Sequence, residues 1–233
     1  MTFDQYAAAV PFYDLWHEDG HVPEVREKLP PLVRGDVLEI GAGTGLITEL
    51  IAAATEGEIF ALEPSLGMRS VLLSRLAGRP DLLGRVTVLP YGALDVDLDE
   101  PVDMVVMIAV LYAIEDRAKL WETLARQLVP GGRLVFNYTE RPMPTPSEPA
   151  RMAAYQVGRH TYEIWGRTHA VEGERVSASF TYRIRHGDAV ISEDVVESVT
   201  YRPSAATVRA ELTAAGFAPD EAPEGLQAWR LAK

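Results

Sequence analysis

Val37-Leu38-Glu39-Ile40-Gly41-Ala42-Gly43-Thr44-Gly45-Leu46 is the stretch on which the reading of this chain turns. An apolar run ends in one acid and then meets glycines at alternate positions. Leu46, Ile47, Leu50, Ile51 and Ala54 follow at helical spacing, so the stretch predicts a strand, a tight turn and the start of a helix. Residues without a Cβ let backbone approach a ligand at a strand end, and the first N–H groups of the helix point to the same place. Three glycines each cost about 0.5–1 kcal/mol of chain entropy. A turn that only joined strand to helix has no structural need for all of them, which argues for a ligand.

Spacing narrows the ligand. The dinucleotide fingerprint G-x-G-x-x-G, counted from Gly41 and Gly43, requires glycine at position 46, where this chain has Leu46. The pattern present is E-x-G-x-G-x-G, and on it the chain resembles the class I S-adenosylmethionine-dependent methyltransferases. The resemblance implies that Glu39 helps hold the amino end of the donor's methionine part. It implies also that the backbone of the turn, Gly41, Ala42, Gly43, Gly45 and Leu46, passes beside the donor.

Glu58 to Leu62 reads as a short buried strand running into Glu63-Pro64-Ser65, which completes a β-α-β unit. A carboxylate at the tip of the second strand can accept hydrogen bonds from both hydroxyls of a ribose, and the family places an acid there for that purpose; Pro64 lies beside it. Met68, Val71, Leu72 and Leu76 mark the next helix, with Met68 divided between core packing and adenine contact. The third strand, Arg85 to Leu89, leads to Pro90-Tyr91-Gly92-Ala93-Leu94-Asp95. Family members usually carry an acid where Ala93 stands, so the resemblance leaves adenine to the backbone of Ala93 and Leu94, with Gly92 beside them and Asp95, two residues on, as the displaced acid. The fourth strand, Val102 to Ala109, brings Ile108 and Ala109 to the loop under the donor.

Asp116 opens a helix whose Leu120, Trp121, Leu124 and Leu128 form a packing face. Leu128-Val129-Pro130-Gly131-Gly132-Arg133-Leu134-Val135-Phe136 then reads as a helix stop, a tight turn frequent in this family and a fifth strand. Prolines 142, 144, 146 and 149 make the stretch Thr139 to Ala150 a crossover or a lid hinge. From Val176 to Arg185 apolar and polar residues alternate, the period of a half-buried strand. His186-Gly187-Asp188 turns it into a second strand, Ala189 to Tyr201, with an earlier partner at Tyr162 to Val171. Pro203-Ser204 caps a helix ending at Gly216, and Gly225 to Leu231 closes the sheet. The expected fold is α/β: a Rossmann-like seven-stranded sheet, mostly parallel with an antiparallel last strand, plus an antiparallel β insert as a substrate cover. One methyltransferase domain spans 1–233, with cap helices in 1–30, the donor-binding core in 31–140, the insert in 141–202 and a closing helix and strand in 203–233.

Composition limits the partners. The 233 residues carry a formal net charge of −12 and no cysteine. That charge repels a nucleic acid backbone, and the missing thiols remove disulfides and thiolate zinc sites and fit a reducing compartment. Met1-Thr2-Phe3-Asp4 lacks the basic start of a signal peptide, and the longest apolar run, Met104 to Ile114, is too short for a bilayer. The expectation is a cytoplasmic protein, monomer or homodimer, without membrane, nucleic acid or metal.

Phe12-Tyr13-Asp14-Leu15-Trp16-His17 is similar to the Tyr-Asp segment of many small-molecule members, where a helix folds over the donor. Tyr13 is thus both a donor contact and a candidate to steer the acceptor. Candidate bases are His17 and His160, with His21 and His169 behind them and Tyr138 as a second orienting hydroxyl. The implied activity is methyl transfer from S-adenosyl-L-methionine, giving S-adenosyl-L-homocysteine, to nitrogen or oxygen of a small molecule, a secondary metabolite or a short modified peptide. The alternatives are a nicotinamide-dependent reductase, which Leu46 disfavours, and an inactive donor-binding protein.

Overall fold

A computed structural model describes residues 6–232; the Met1–Asp4 segment lies outside them. Among the described residues eleven strands fall into two sheets. The larger has the order β10-β11-β5-β4-β1-β2-β3 and the smaller β6-β7-β8-β9. In the first, β1 (Val37–Ile40), β2 (Ile59–Leu62), β3 (Val86–Leu89), β4 (Val102–Met107) and β5 (Leu128–Phe136) run parallel. Strand β11 (Gln227–Leu231) is antiparallel to β5, and β10 (Phe217–Asp220) antiparallel to β11.

Both faces of this sheet are covered, which is why its central strands β1, β2 and β4 are mostly apolar rather than alternating. Val37, Ile59, Ala61, Met104 and Val106 face α2 (Val22–Lys28), α3 (Leu46–Ala54) and α4 (Leu66–Ala77). Leu38, Ile40, Leu62, Val105 and Met107 face α6 (Arg117–Gln127) and α7 (Ala205–Ala214). Trp121 is fully buried on that second face, as its helical spacing predicts. A one-turn helix, α5 (Pro80–Leu83), precedes β3.

The insert is a four-stranded antiparallel sheet of β6 (Ala150–Val157), β7 (His160–Glu172), β8 (Arg175–His186) and β9 (Ala189–Tyr201). The sequence reading lacked β6 and β10. Ile164, Tyr182, Tyr162, Phe180 and Ile184 on one face pack against α1 (Val10–Asp19) and against Met68 of α4. The base of the insert is locked to the core by Arg117. Its guanidinium donates to Glu174, in the β7–β8 turn, at 2.8 Å and to Glu211 of α7 at 2.9 Å.

The Pro130-Gly131-Gly132 segment departs from the expected simple turn. Leu128 already pairs with Val102 and Arg133 with Met104, so the residues between them loop out of a strand that has begun. Gly131, at φ +79°, makes that loop possible.

Candidate active site

Parallel strands carry their ligand-facing loops at their C-terminal ends, beside the point where the strand order reverses. Here β1 lies between β4 and β2, so the glycine turn, Glu63, the 90–95 loop and Ile108-Ala109 come to one edge. Helix α1 and the insert stand over that edge.

Each glycine of the turn has a reason inside the protein, which corrects the expectation that structure alone would not need three. Gly41, Gly43 and Gly45 have φ of +71°, +57° and +92°. A Cβ on Gly41 would stand 2.5 Å from Val110 Cγ2, on Gly43 3.2 Å from the Tyr13 hydroxyl, and on Gly45 2.5 Å from Leu72 Cδ1. Close approach of backbone to side chains is therefore built into the turn.

Glu63 is buried, and its carboxylate ties two strand tips together. Oε2 accepts the Gly43 N–H at 2.9 Å and Oε1 the Ser65 N–H at 2.7 Å. Ser65 caps α4 by accepting the Met68 N–H at 3.2 Å. Pro64 is exposed, its carbonyl accepting from Arg69 at 2.7 Å, and Met68 is 2 % exposed beneath Phe12 and the insert. Glu39 lies under α3, where its Oε2 accepts the Thr48 hydroxyl at 2.6 Å. Burial lifts its carboxyl to about 7 against the pull of that hydrogen bond, with Glu63 adding to the rise.

The loop after β3 sits beside Glu63, whose N–H donates to Leu89. Gly92 accepts from Asp95 N–H at 3.0 Å, while Ala93 and Leu94 pack into the second core face. Ala109 holds φ +60°, rare for a residue with a Cβ. Its N–H donates to Asn137 Oδ1 at 2.6 Å, so the end of β5 fixes the strained end of β4. Sequence reading missed Asn137; no spacing or periodicity marks it.

Tyr13, His17 and His21 line a small cavity with Gly41, Ala42, Leu46 and Ile108. Tyr13 and His17 rings meet at 4.1 Å between centroids, tilted by 49°, and the two histidine Nδ1 atoms share a hydrogen bond of 3.3 Å. Burial, with neighbouring Tyr112 and Glu63, pushes the Tyr13 phenol far above its ordinary value, so it is a neutral hydroxyl. Burial and His21 push His17 down to about 4, leaving a neutral imidazole at neutral pH.

The other candidates are not in this group. His160 stands at the β6–β7 turn, edge-on to His186 at 5.5 Å. His169 meets Ser179 at 2.9 Å within the insert. Tyr138 donates its hydroxyl to the Pro203 carbonyl where the insert rejoins the core. Among the described residues no cluster of three or more His, Cys, Asp or Glu could hold a metal ion. None of their helices is long and apolar enough to cross a membrane.

A seven-stranded sheet of this order, with a glycine turn after its first strand and an acid at the tip of its second, defines a class I methyltransferase fold. Comparison with known proteins agrees. Residues 38–134 match the family model described as a methyltransferase domain. An uncharacterized methyltransferase of Mycobacterium tuberculosis is 36% identical over 123 residues, 52% of this chain and 47% of that protein. An uncharacterized protein of Synechococcus sp. is 30% identical over 128 residues, 54% of this chain and 30% of that one. The chain spans about half or less of the curated relatives it matches.

Solved structures extend the likeness of fold to nearly the whole chain. DesVI of Streptomyces venezuelae superposes with a TM-score of 0.75 at 19% identity, over 95% of this chain and 97% of its own. The sugar N-methyltransferase KedS8 of Streptoalloteichus sp. gives 0.72 at 20%, covering 95% and 93%. An S-adenosylmethionine-bound amino pentose methyltransferase of Micromonospora echinaspora gives 0.71 at 16%, covering 94% and 95%. What the chain shares with these proteins is the fold over nearly its whole length and a methyltransferase-domain match over residues 38–134.

Proposed function

We propose that the chain transfers a methyl group from S-adenosyl-L-methionine to a nitrogen or oxygen of a small molecule, a secondary metabolite or short modified peptide, releasing S-adenosyl-L-homocysteine. The carrying observation is Glu63. Backbone N–H groups of Gly43 and Ser65 orient its two oxygens at the tip of the second strand, the place where a carboxylate can meet the hydroxyls of a ribose. Glu39 takes the donor's amino end, with the backbone of Gly41, Ala42, Gly43, Gly45 and Leu46 alongside. Pro64, Met68, Gly92, Ala93 and Leu94 flank the adenosine, and Ile108 and Ala109 lie under the sulfonium.

Transfer then breaks the S–CH3 bond as the acceptor's lone pair forms the new one in line. Positioning alone can supply roughly 7–11 kcal/mol of such a barrier, so neither metal nor covalent intermediate is required. Tyr13 orients the acceptor as a neutral hydroxyl donor. His17, neutral at physiological pH, takes the acceptor's proton where one must leave. His160 would act only on an acceptor that reaches the far turn of the insert. The solved sugar N-methyltransferase and amino pentose methyltransferase of the same fold support an amine on a small polar acceptor. The net charge of −12 speaks against nucleic acid.

Calorimetry with S-adenosylmethionine tests the donor: no binding, or no weakening in Glu63→Ala, overturns it. Incubation with a metabolite extract and isotope-labelled donor, followed by mass spectrometry, names the acceptor; binding without any labelled product identifies an inactive binder. A nicotinamide cofactor is disfavoured by Leu46, whose side chain opens α3 and lines the cavity. A nicotinamide fluorescence change on mixing would revive that reading.

A further inference from the structure

Helix α1 is held from two sides by different kinds of contact. Towards the insert it is apolar: Phe12 meets Tyr162 and Tyr182 at 5.2 Å between ring centroids, and Trp16 meets Phe180 at 5.9 Å. Towards the glycine turn it is held by one carboxylate. Asp14 Oδ1 accepts the Thr44 hydroxyl at 2.5 Å, and Oδ2 accepts from the Arg75 guanidinium at 2.6 Å. Arg75, on α4, donates also to the Thr44 carbonyl at 3.0 Å and to Glu49 of α3 at 3.1 Å. One side chain thus spans α4, α3, the turn and α1.

With α1 seated, the cavity between it and the turn measures about 20 Å³, room for about one water. The Tyr13 hydroxyl lies against Gly43. That cavity, lined by Tyr13, His17 and Gly41, is too small for any part of the donor larger than a water, so on the donor reading α1 has to shift for it to be filled. The apolar contacts survive if α1 moves together with the insert, whereas the clamp to Thr44 and Arg75 has to break. The clamp is built to open, because the Arg75 and Asp14 side chains are 23% and 39% exposed and water replaces each partner at small cost.

We propose that Asp14 and Arg75 are positioning residues, whose ion pair seats α1 and Tyr13 over the glycine turn and whose release admits and discharges the donor. The inference rests on the donor reading of this site. Neither residue touches the reacting atoms; both act through Tyr13.

Stopped-flow release of S-adenosylhomocysteine from the full chain, followed by tryptophan fluorescence, tests it. Asp14→Asn and Arg75→Gln are expected to release the product about three- to fivefold faster than the parent. Arg75→Lys, which keeps the charge but not the planar fork, falls between. The double variant is expected to be no faster than the faster single, because both changes open one clamp. Thr44→Val, close in shape, gives a smaller acceleration and serves if an Arg75 variant fails to fold. Variants that bind and release within twofold of the parent overturn the clamp and leave the donor reading intact. A parent that takes up no S-adenosylhomocysteine overturns both.

Discussion

Glu63 accepts the Gly43 N–H at 2.9 Å, joining the tip of the second strand to the turn after the first. A charged acceptor holding backbone donors is the strong kind of hydrogen bond, worth about 1.5–3 kcal/mol. Glu63→Gln keeps the shape, removes the charge and leaves one position of the side chain facing an N–H with an NH2. Donor affinity is expected to fall by about 10- to 100-fold, the equivalent of that energy. Calorimetry checks it, and an unchanged affinity would refute the assigned role.

The two buried titratable groups around the turn pull stability in opposite directions with pH. Glu39 has an ordinary value of 4.5 and a folded value of about 7. Between them the unfolded chain has lost the proton while the folded one keeps it, so stability falls as pH rises through this window, by about 3 kcal/mol in all. His17 has an ordinary value of 6.5 and a folded value of about 4. As pH falls from 6.5 towards 4 the unfolded chain binds the proton first, so here stability falls on acidification. Glu39→Gln is expected to gain on the parent steadily from pH 4.5 to 7, and His17→Gln from pH 6.5 down to 4. Urea midpoints across the range report both, and a flat difference for Glu39→Gln counts against the buried acid.

Alanine at two glycines separates backbone strain from crowding. Gly45 and Gly131 both have positive φ, +92° and +79°. A Cβ on Gly45 meets Leu72 Cδ1 at 2.5 Å, whereas nothing lies within 4 Å of one on Gly131. Gly131→Ala is expected to cost only the left-handed penalty of roughly 1–2 kcal/mol. Gly45→Ala adds roughly 1–3 kcal/mol of overpacking. Equal losses in chemical denaturation would contradict the packing around α4.

Arg117 holds the insert to the core through Glu174 and Glu211, and Trp121 Nε1 donates to the same Glu211 at 3.1 Å. Arg117→Ala is expected to cost roughly 1.5–3 kcal/mol, the value of hydrogen bonds to charged groups. Proteolysis in the 137–149 crossover should quicken. Arg117→Lys should recover less than half, since an ammonium cannot fork between two carboxylates.

Elements that own a periodic or punctuated signal were legible in the sequence. Strands β1 and β4 read as apolar runs because helices cover both faces, and Gly216, at φ +87°, stops α7 as its position suggests. Ser204 caps that helix by accepting the Thr207 N–H at 3.0 Å. Strand β10 escaped because it is four residues long with Pro219 inside it, tolerable only at the sheet edge where it lies. Strand β6 escaped because it is an edge strand exposed along most of its length, with only Ala153 and Tyr155 turned to α1. Within the site, the strand-end residues follow from fold and spacing. Asn137 and the Asp14–Arg75 pair do not, since they are joined by geometry across residues far apart in the chain and leave no local pattern.

Phe12 and Tyr13 are neighbours on one helix that look in different directions, the first into the insert and the second onto Gly43. Whatever reshapes the inner face of the insert for a new acceptor also shifts the seat of Phe12, and Tyr13 moves with it. On the proposed function, where the insert covers the acceptor and the turn holds the donor, acceptor choice and donor grip vary together through α1. A lineage that diversifies its acceptors is expected to vary the outer face and turns of the insert freely, while Tyr162, Ile164, Phe180 and Tyr182 drift only as far as α1 can follow.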